Sequence, residues 1–282
     1  LQDVVLQDGG IYTVIARDLS AAKNSNTVSA AASVSTLAVP ASGSFANSLT
    51  GFTGNTDVPA DLLEVEKAGL TTGSVNPAAT IDFDASGATF GDGLGYEARN
   101  LLKTIASSYH DVSFEAYCTF VLSTQDDLSA YIGLGQGLQT GIPDNWGVPE
   151  LQLAGVAGIF AEFKDSTAGG VKDSRILKIF DGQELTNTTS SVVANNQTIR
   201  ARFIYDAVAN TVSVAADLGY TGGAFVNDLD LGTLSVLQTN GVDRIFTGAP
   251  AHVYVGGGEG TIVKDFEIVV TGVPLETFDV QI

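Results

Sequence analysis

Apolar and polar residues alternate with a period of two along much of the chain, most clearly in TIRARFIYDAVANTVSVAADL. There Ile199, Ala201, Phe203 and Tyr205 alternate with Arg200, Arg202 and Asp206; DAVAN then turns the chain, and Val212, Val214 and Ala216 alternate again. This is the pattern of a β-hairpin with one buried face. The same period in SFEAYCTFV places Phe114, Ala116, Cys118 and Phe120 on one side of a strand. Further strand signals, separated by Gly, Asn and Asp turns, lie in ATIDFDASGATF, SAYIGLGQG, GIFAEFKD, RILKIFDG and AHVYVGGGEGTIVKDFEIVV. Short strands at regular spacing, with no helical segments between them, predict an all-β sandwich rather than a parallel α/β sheet. One stretch, EARNLLKTIASSYHD, fits either a helix or a buried strand by pattern and is read as strand.

The pattern also divides the chain. Residues 1–39 hold two apolar strands, IYTVIA and VSAAASVSTLAV, joined by the polar RDLSAAKNSN, which predicts a hairpin with a long connection. Residues 40–48, PASGSFANS, are small, polar and without period and read as a linker. Residues 49–272 form the strand-rich body, and 273–282, in which Pro274 marks a junction, end in TFDVQI. That end is either a strand pairing back onto the body or the start of a following module.

Composition narrows the partners. The 282 residues carry 13 Lys and Arg against 32 Asp and Glu, a formal charge of −19, which repels nucleic-acid phosphates and anionic membrane surfaces. No apolar run approaches the roughly 18 residues that cross a bilayer as a helix. An acidic surface poor in Lys suits a secreted or cell-surface protein, and the same field attracts divalent cations. The chain contains no Met, so it is expected to be a processed product or an excised piece. Its only cysteine, Cys118, excludes an internal disulfide and any CxxC site, and on the apolar side of its strand it reads as a small buried hydrophobe.

Two segments carry family resemblances. DGGIYTV, with Asp8, Gly10 and Tyr12 followed by Val14, resembles the penultimate strand of an immunoglobulin-like sandwich. Tyr12 stands in the place of the tyrosine corner and Val14 where many members have a disulfide cysteine, which implies a terminal immunoglobulin-like hairpin over 1–39 with both residues buried. TIRARFIYDAVANTVSVAADL and HVYVGGGEGTIVKDFEIVV together resemble the last strands of a concanavalin A-like jelly roll, the superfamily of legume lectins, laminin G-like modules and several glycan-cleaving enzymes. The resemblance implies a concanavalin A-like antiparallel β-sandwich over 49–272. Its motifs are loose and speak to fold rather than to function.

Candidate chemistry is sparse. The Glu-x-Asp-x-x-Glu motif of the superfamily's glycosidases does not occur, and Glu64 and Glu66 read as solvated carboxylates. His110 and His252 stand in no metal-binding spacing, and His252 with Tyr254 on one strand is a weak lyase signal. Calcium, which this fold often recruits, would draw on the acidic turns: Asp126 and Asp127 in QDDLSA, Asp228 and Asp230 in VNDLDLG. The only Trp, Trp146, stands beside Asp144 and Asn145 in GIPDNWGVPE. A flat ring for pyranose CH groups next to polar atoms for hydroxyls is what a sugar site needs, while the bland alternative is a Trp that plugs the end of the sandwich. With Tyr131 these residues are the expected glycan contacts. The function expected is that of a non-enzymatic extracellular module adhering to a polysaccharide or surface glycan. The alternatives are a matrix, surface-layer or filament subunit that self-associates through its terminal hairpin and strand, and a lyase or hydrolase with an unrecognised site.

Overall fold

The computed structural model describes residues 45–50, 62–64, 81–90, 100–104, 109–124, 129–137, 156–164, 174–180, 183–188, 193–194, 196–246 and 250–272. The hairpin expected at 1–39, with Tyr12 and Val14, and the end at 273–282 lie outside them. The described chain is nearly all strand, in two antiparallel sheets. The first contains β1 (Phe45–Ser48), β3 (Ile81–Phe83), β4 (Ala88–Phe90), β6 (Ser113–Val121), β11 (Thr198–Asp206), β12 (Thr211–Leu218), β13 (Leu229–Ser235) and β15 (Ile262–Gly272). The second contains β2 (Leu62–Glu64), β5 (Asn100–Thr104), β7 (Ser129–Gln136), β8 (Ala157–Lys164), β9 (Arg175–Phe180), β10 (Gln183–Thr188) and β14 (Ala251–Gly257).

The first sheet runs β13-β12-β11-β6-β15-β4-β3, with β1 also paired to β15; the second runs β10-β9-β8-β7-β14-β5-β2. The chain passes from one sheet to the other on both sides of β2, of β5 and of β14, between β6 and β7, and between β10 and β11. Strands far apart in the chain therefore meet in the middle of each sheet, β6 with β11 and β15 in one and β7 with β14 in the other. This is the two-sheet antiparallel sandwich that the jelly-roll resemblance implies.

Strand alternation builds the core between the sheets. Phe114, Ala116, Cys118 and Phe120 of β6 and Ile199, Ala201, Phe203 and Tyr205 of β11 are all fully buried. Cross-strand register sets Phe203 opposite Ala116 and Tyr205 opposite Phe114. The second sheet contributes Ile132, Leu134, Ile159, Ala161, Phe163 and Val255 to the same cluster. Phe120 meets Phe163 at 6.5 Å between centroids, joining the two sheets through their rings. Cys118 lies in this core, and burial pushes its thiol well above the usual range, so it packs as a small hydrophobe.

Two expectations change. The second half of the stretch read as a linker is strand: Phe45–Ser48 pairs with Asp265–Ile268. FANS has little strand propensity of its own; the free edge of β15 supplies the pairing. In EARNLLKTIASSYHD, strand holds over Asn100–Thr104, and Tyr109–Asp111 form a 3-10 turn.

That turn closes one end of the sandwich. The Tyr205 hydroxyl donates to the His110 carbonyl at 2.7 Å, and Arg244 reaches the same carbonyl and those of its surroundings, Ala207 O and Asn210 Oδ1. Burial raises the Tyr205 phenol to about 12, so it keeps its proton and its donor role. The His110 ring lies 6.1 Å from Phe246, with Nε2 3.2 Å from Asp111 and Nδ1 buried without a hydrogen-bond partner among the described residues.

Burial lowers the His110 pKa, with Asp111 opposing and Arg244 adding to the shift. The unfolded chain therefore takes up the proton first, so this contribution to stability is complete above the ordinary value of 6.5 and is lost as pH falls below it. Denaturant titrations of His110→Gln and the parent chain at pH 7.5 and pH 5 should show the parent losing more stability on acidification than the variant. Equal losses would contradict a buried neutral imidazole.

Candidate functional site

Each sheet also has an outer face, and the two differ in kind. On the second sheet the outward positions form rows across β7, β8 and β9. Tyr131 stands opposite Glu162 and Glu162 opposite Arg175. The Tyr131 hydroxyl donates to Glu162 Oε1 at 3.0 Å, and Arg175 Nε donates to Glu162 Oε2. The next row sets Tyr254, Gly133, Phe160 and Leu177 side by side. Phe160 and Tyr254 meet edge to face at 6.2 Å across Gly133. A Cβ on Gly133 would stand 2.7 Å from Phe160 Cα and closer still to the Ile159 carbonyl oxygen, so the glycine is what admits the ring.

This face is buried. Tyr131 has no exposed surface, Glu162 and Tyr254 keep 1%, and Arg175 keeps 7%. Tyr131 is therefore a packing and hydrogen-bonding residue rather than the glycan contact expected from the sequence; alternation alone did not say which sides of its strand are covered. His252 lies on the same face, its Nδ1 donating to the Thr104 carbonyl at 2.7 Å, and burial pushes the Tyr254 phenol far up, which holds its proton in place.

The outer face of the first sheet carries a half-exposed strip of charged and aromatic side chains. Register sets Thr119 opposite Arg200 and Tyr117 opposite Arg202, with Asp265 and Glu267 of β15 opposite Thr119 and Tyr117 on the other side. Arg200 donates to Thr119 Oγ1 at 2.9 Å, Asp265 Oδ1 at 2.8 Å and Glu267 Oε2 at 3.1 Å. Arg202 donates to both oxygens of Glu115, at 3.0 and 2.9 Å, and the Tyr117 hydroxyl donates to Glu115 Oε2 at 2.6 Å. Partial burial works to raise the Glu115 pKa, but these donors outweigh it and hold its carboxyl below the usual range.

Aromatic rings interleave with the cations. The Arg200 guanidinium lies 5.3 Å from the ring centres of both Tyr117 and Tyr220, and that of Arg202 lies 5.8 Å from Tyr117 and 6.0 Å from Phe225. Tyr117 and Phe225 meet edge to face at 6.0 Å. The strip thus runs Tyr220, Arg200, Tyr117, Arg202, Phe225.

Tyr220 and Phe225 come from the β12–β13 connection, GYTGGAFVND, which folds back over the sheet. Gly222 and Gly223 take φ of 107° and 102°, conformations that L side chains rarely adopt. The buried Asp217 carboxylate accepts Val226 N at 2.8 Å, and Asp228 Oδ2 accepts Leu218 N at 3.0 Å, pinning the loop at both ends.

The loop also explains Asp228 and Asp230. Each engages a backbone N–H, Asp230 that of Gly232 at 2.7 Å, and among the described residues no three His, Cys, Asp or Glu side chains converge. Calcium takes 6–8 oxygen ligands, so Asp228 and Asp230 by themselves do not fit the ion. Asp126, Asp127, Asp144, Asn145 and Trp146 lie outside the described residues. Of the residues in the strip, the alternation marked Arg200 and Arg202 as outward. Their partners on β6 and β15 stand some 65 to 87 positions away in sequence, and no local pattern names them.

Fold and face together define an all-β antiparallel sandwich with a charged aromatic strip on one sheet. No family model and no curated protein matches the chain. Solved structures to which the chain is similar include a complex of peanut lectin with a nine-residue peptide, at 12% identity over 82% of this chain and 98% of that one, TM-score 0.46. Lectin II from Ulex europaeus matches at 13% identity over 80% and 97%, TM-score 0.44. A beta-1,3-glucanase from Mycobacterium marinum matches at 11% identity over 79% and 97%, TM-score 0.43. Likeness at this level says nothing of ligand or reaction, and function is a matter for this chain's own side chains.

The buried row on the second sheet has its own test. Arg175→Met removes the cation from a carboxylate that is almost wholly buried, and should cost about 3–5 kcal/mol in a denaturant titration. Adding Glu162→Leu should recover a large part of that loss. A single variant as stable as the parent would mean that the ion pair contributes nothing to the fold.

Proposed function

We propose that this chain is a non-enzymatic, lectin-like module that acts outside the cell and adheres to a polysaccharide or surface glycan through the outer face of its eight-stranded sheet. The observation that carries this reading is the strip Tyr220, Arg200, Tyr117, Arg202, Phe225, in which half-exposed rings alternate with guanidinium planes beside carboxylates. Sugar binding asks for flat apolar surface against pyranose CH groups and for fixed polar atoms at the hydroxyls. Tyr117, the arginines and the carboxylates stand on strands held by cross-strand hydrogen bonds, and Tyr220 and Phe225 on a loop pinned at both ends, so little order has to be gained on binding.

The bland alternative is a solvated ladder that stiffens the sheet and meets no ligand. The two differ in what the loss of a ring does. In a glycan array run with and without calcium, the parent chain should retain a subset of glycans, and Tyr117→Ala should weaken that binding at least tenfold while unfolding with the parent's cooperativity. Retention by neither protein, in calcium or in chelator, would refute the adhesion reading. Binding that depends on calcium but not on Tyr117 would move the site off this face.

A further inference from the structure

We infer, resting on the glycan reading, that the ligand of this face is a neutral polysaccharide rather than a sulfated or uronic one. An aromatic strip with two arginines at its centre would ordinarily suit an anionic polymer, because guanidinium binds sulfate and carboxylate in bidentate fashion. Here both arginines are already engaged. Arg202 uses its fork on Glu115, and Arg200 divides its own between Asp265 and Glu267. Two cations thus face three carboxylates on the strip.

At Arg200 the guanidinium is the more buried member, its side chain 14% exposed against 36% and 33% for Asp265 and Glu267; in the Arg202–Glu115 pair the arginine is the more exposed, 33% against 24%. At the Arg200 end of the strip, what a ligand meets first beside the rings is therefore acceptor oxygen. Asp265 accepts from Arg200 through Oδ1 and Glu267 through Oε2, one oxygen of each carboxylate. Sugar hydroxyls donate to such oxygens, whereas a sulfate or carboxylate is repelled by them. The formal charge of −19 over the whole chain acts in the same direction at longer range.

The test compares the parent chain and the double variant Asp265→Asn, Glu267→Gln on four immobilised polymers: a neutral β-glucan, a neutral galactan, a sulfated galactan and polygalacturonate, each at low and at high salt. Both substituted side chains are about one-third exposed and nearly isosteric with their replacements, so the fold is expected to hold, and a thermal melt checks it. The parent should bind a neutral polymer with an affinity that salt changes less than about twofold, and should bind both acidic polymers at least tenfold more weakly. The double variant, with Arg200 released, should gain at least tenfold on the sulfated polymer relative to the neutral one, and that gain should vanish at high salt.

Preference of the parent for an acidic polymer, weakened by salt, would overturn this inference and leave the glycan reading standing. Binding to neutral polymers with no gain in the double variant would overturn the role given to the carboxylates. Binding to none of the four, together with an empty glycan array, would overturn the glycan reading itself.

Discussion

Strand alternation across β6 and β11 is the constraint on which the rest of this molecule depends. The two strands pair over eight consecutive positions, Thr198 with Val121 through Tyr205 with Phe114. The register that buries Phe114, Phe120, Phe203 and Tyr205 is the register that turns Glu115, Tyr117, Arg200 and Arg202 outward. Core and strip are therefore two sides of one arrangement. A slip of one residue would place guanidinium groups between the sheets and phenyl rings in water, at a cost that fixes the pairing.

The two outer faces show how the same pleat serves different ends. On the seven-stranded sheet, glycines at outward positions let Phe160 and Tyr254 lie across the strands, and the Tyr131, Glu162 and Arg175 row is satisfied internally and withdrawn from solvent. On the eight-stranded sheet, outward positions bear long charged side chains instead, and the β12–β13 loop adds rings over them without sealing them off. Burial, not residue type, separates the two: each face has tyrosine, arginine and glutamate, and only one leaves them partly exposed.

Much of the fold was legible because a period of two survives any context. The segments read as strands over β6, β7, β8, β9, β11, β12, β14 and β15 are strands, and Cys118 is buried where its period placed it. β1 and β13 were missed for a physical reason. FANS and LDLGTLS are short, polar or broken by glycine, and they are held extended by partners already in place. The candidate site was less legible. Its arginines were visible as outward residues, but the carboxylates that hold them and the rings that cover them come from three other parts of the chain. The contacts favoured from composition were chosen by residue chemistry alone, and Tyr131 shows the weakness of that choice: a tyrosine on a glycine-rich strand suits a sugar site and a buried face equally well.

By itself the sequence determined the class of fold, which residues share a side of each strand, and the acidic character that sets the molecule's long-range field, because these follow from local periodicity and from summed charge. Only the tertiary structure decided which strands are neighbours, which outer face stays open, and which carboxylate meets which arginine. Those depend on hydrogen-bonded register between segments tens of residues apart, and on which surfaces the folded chain itself covers.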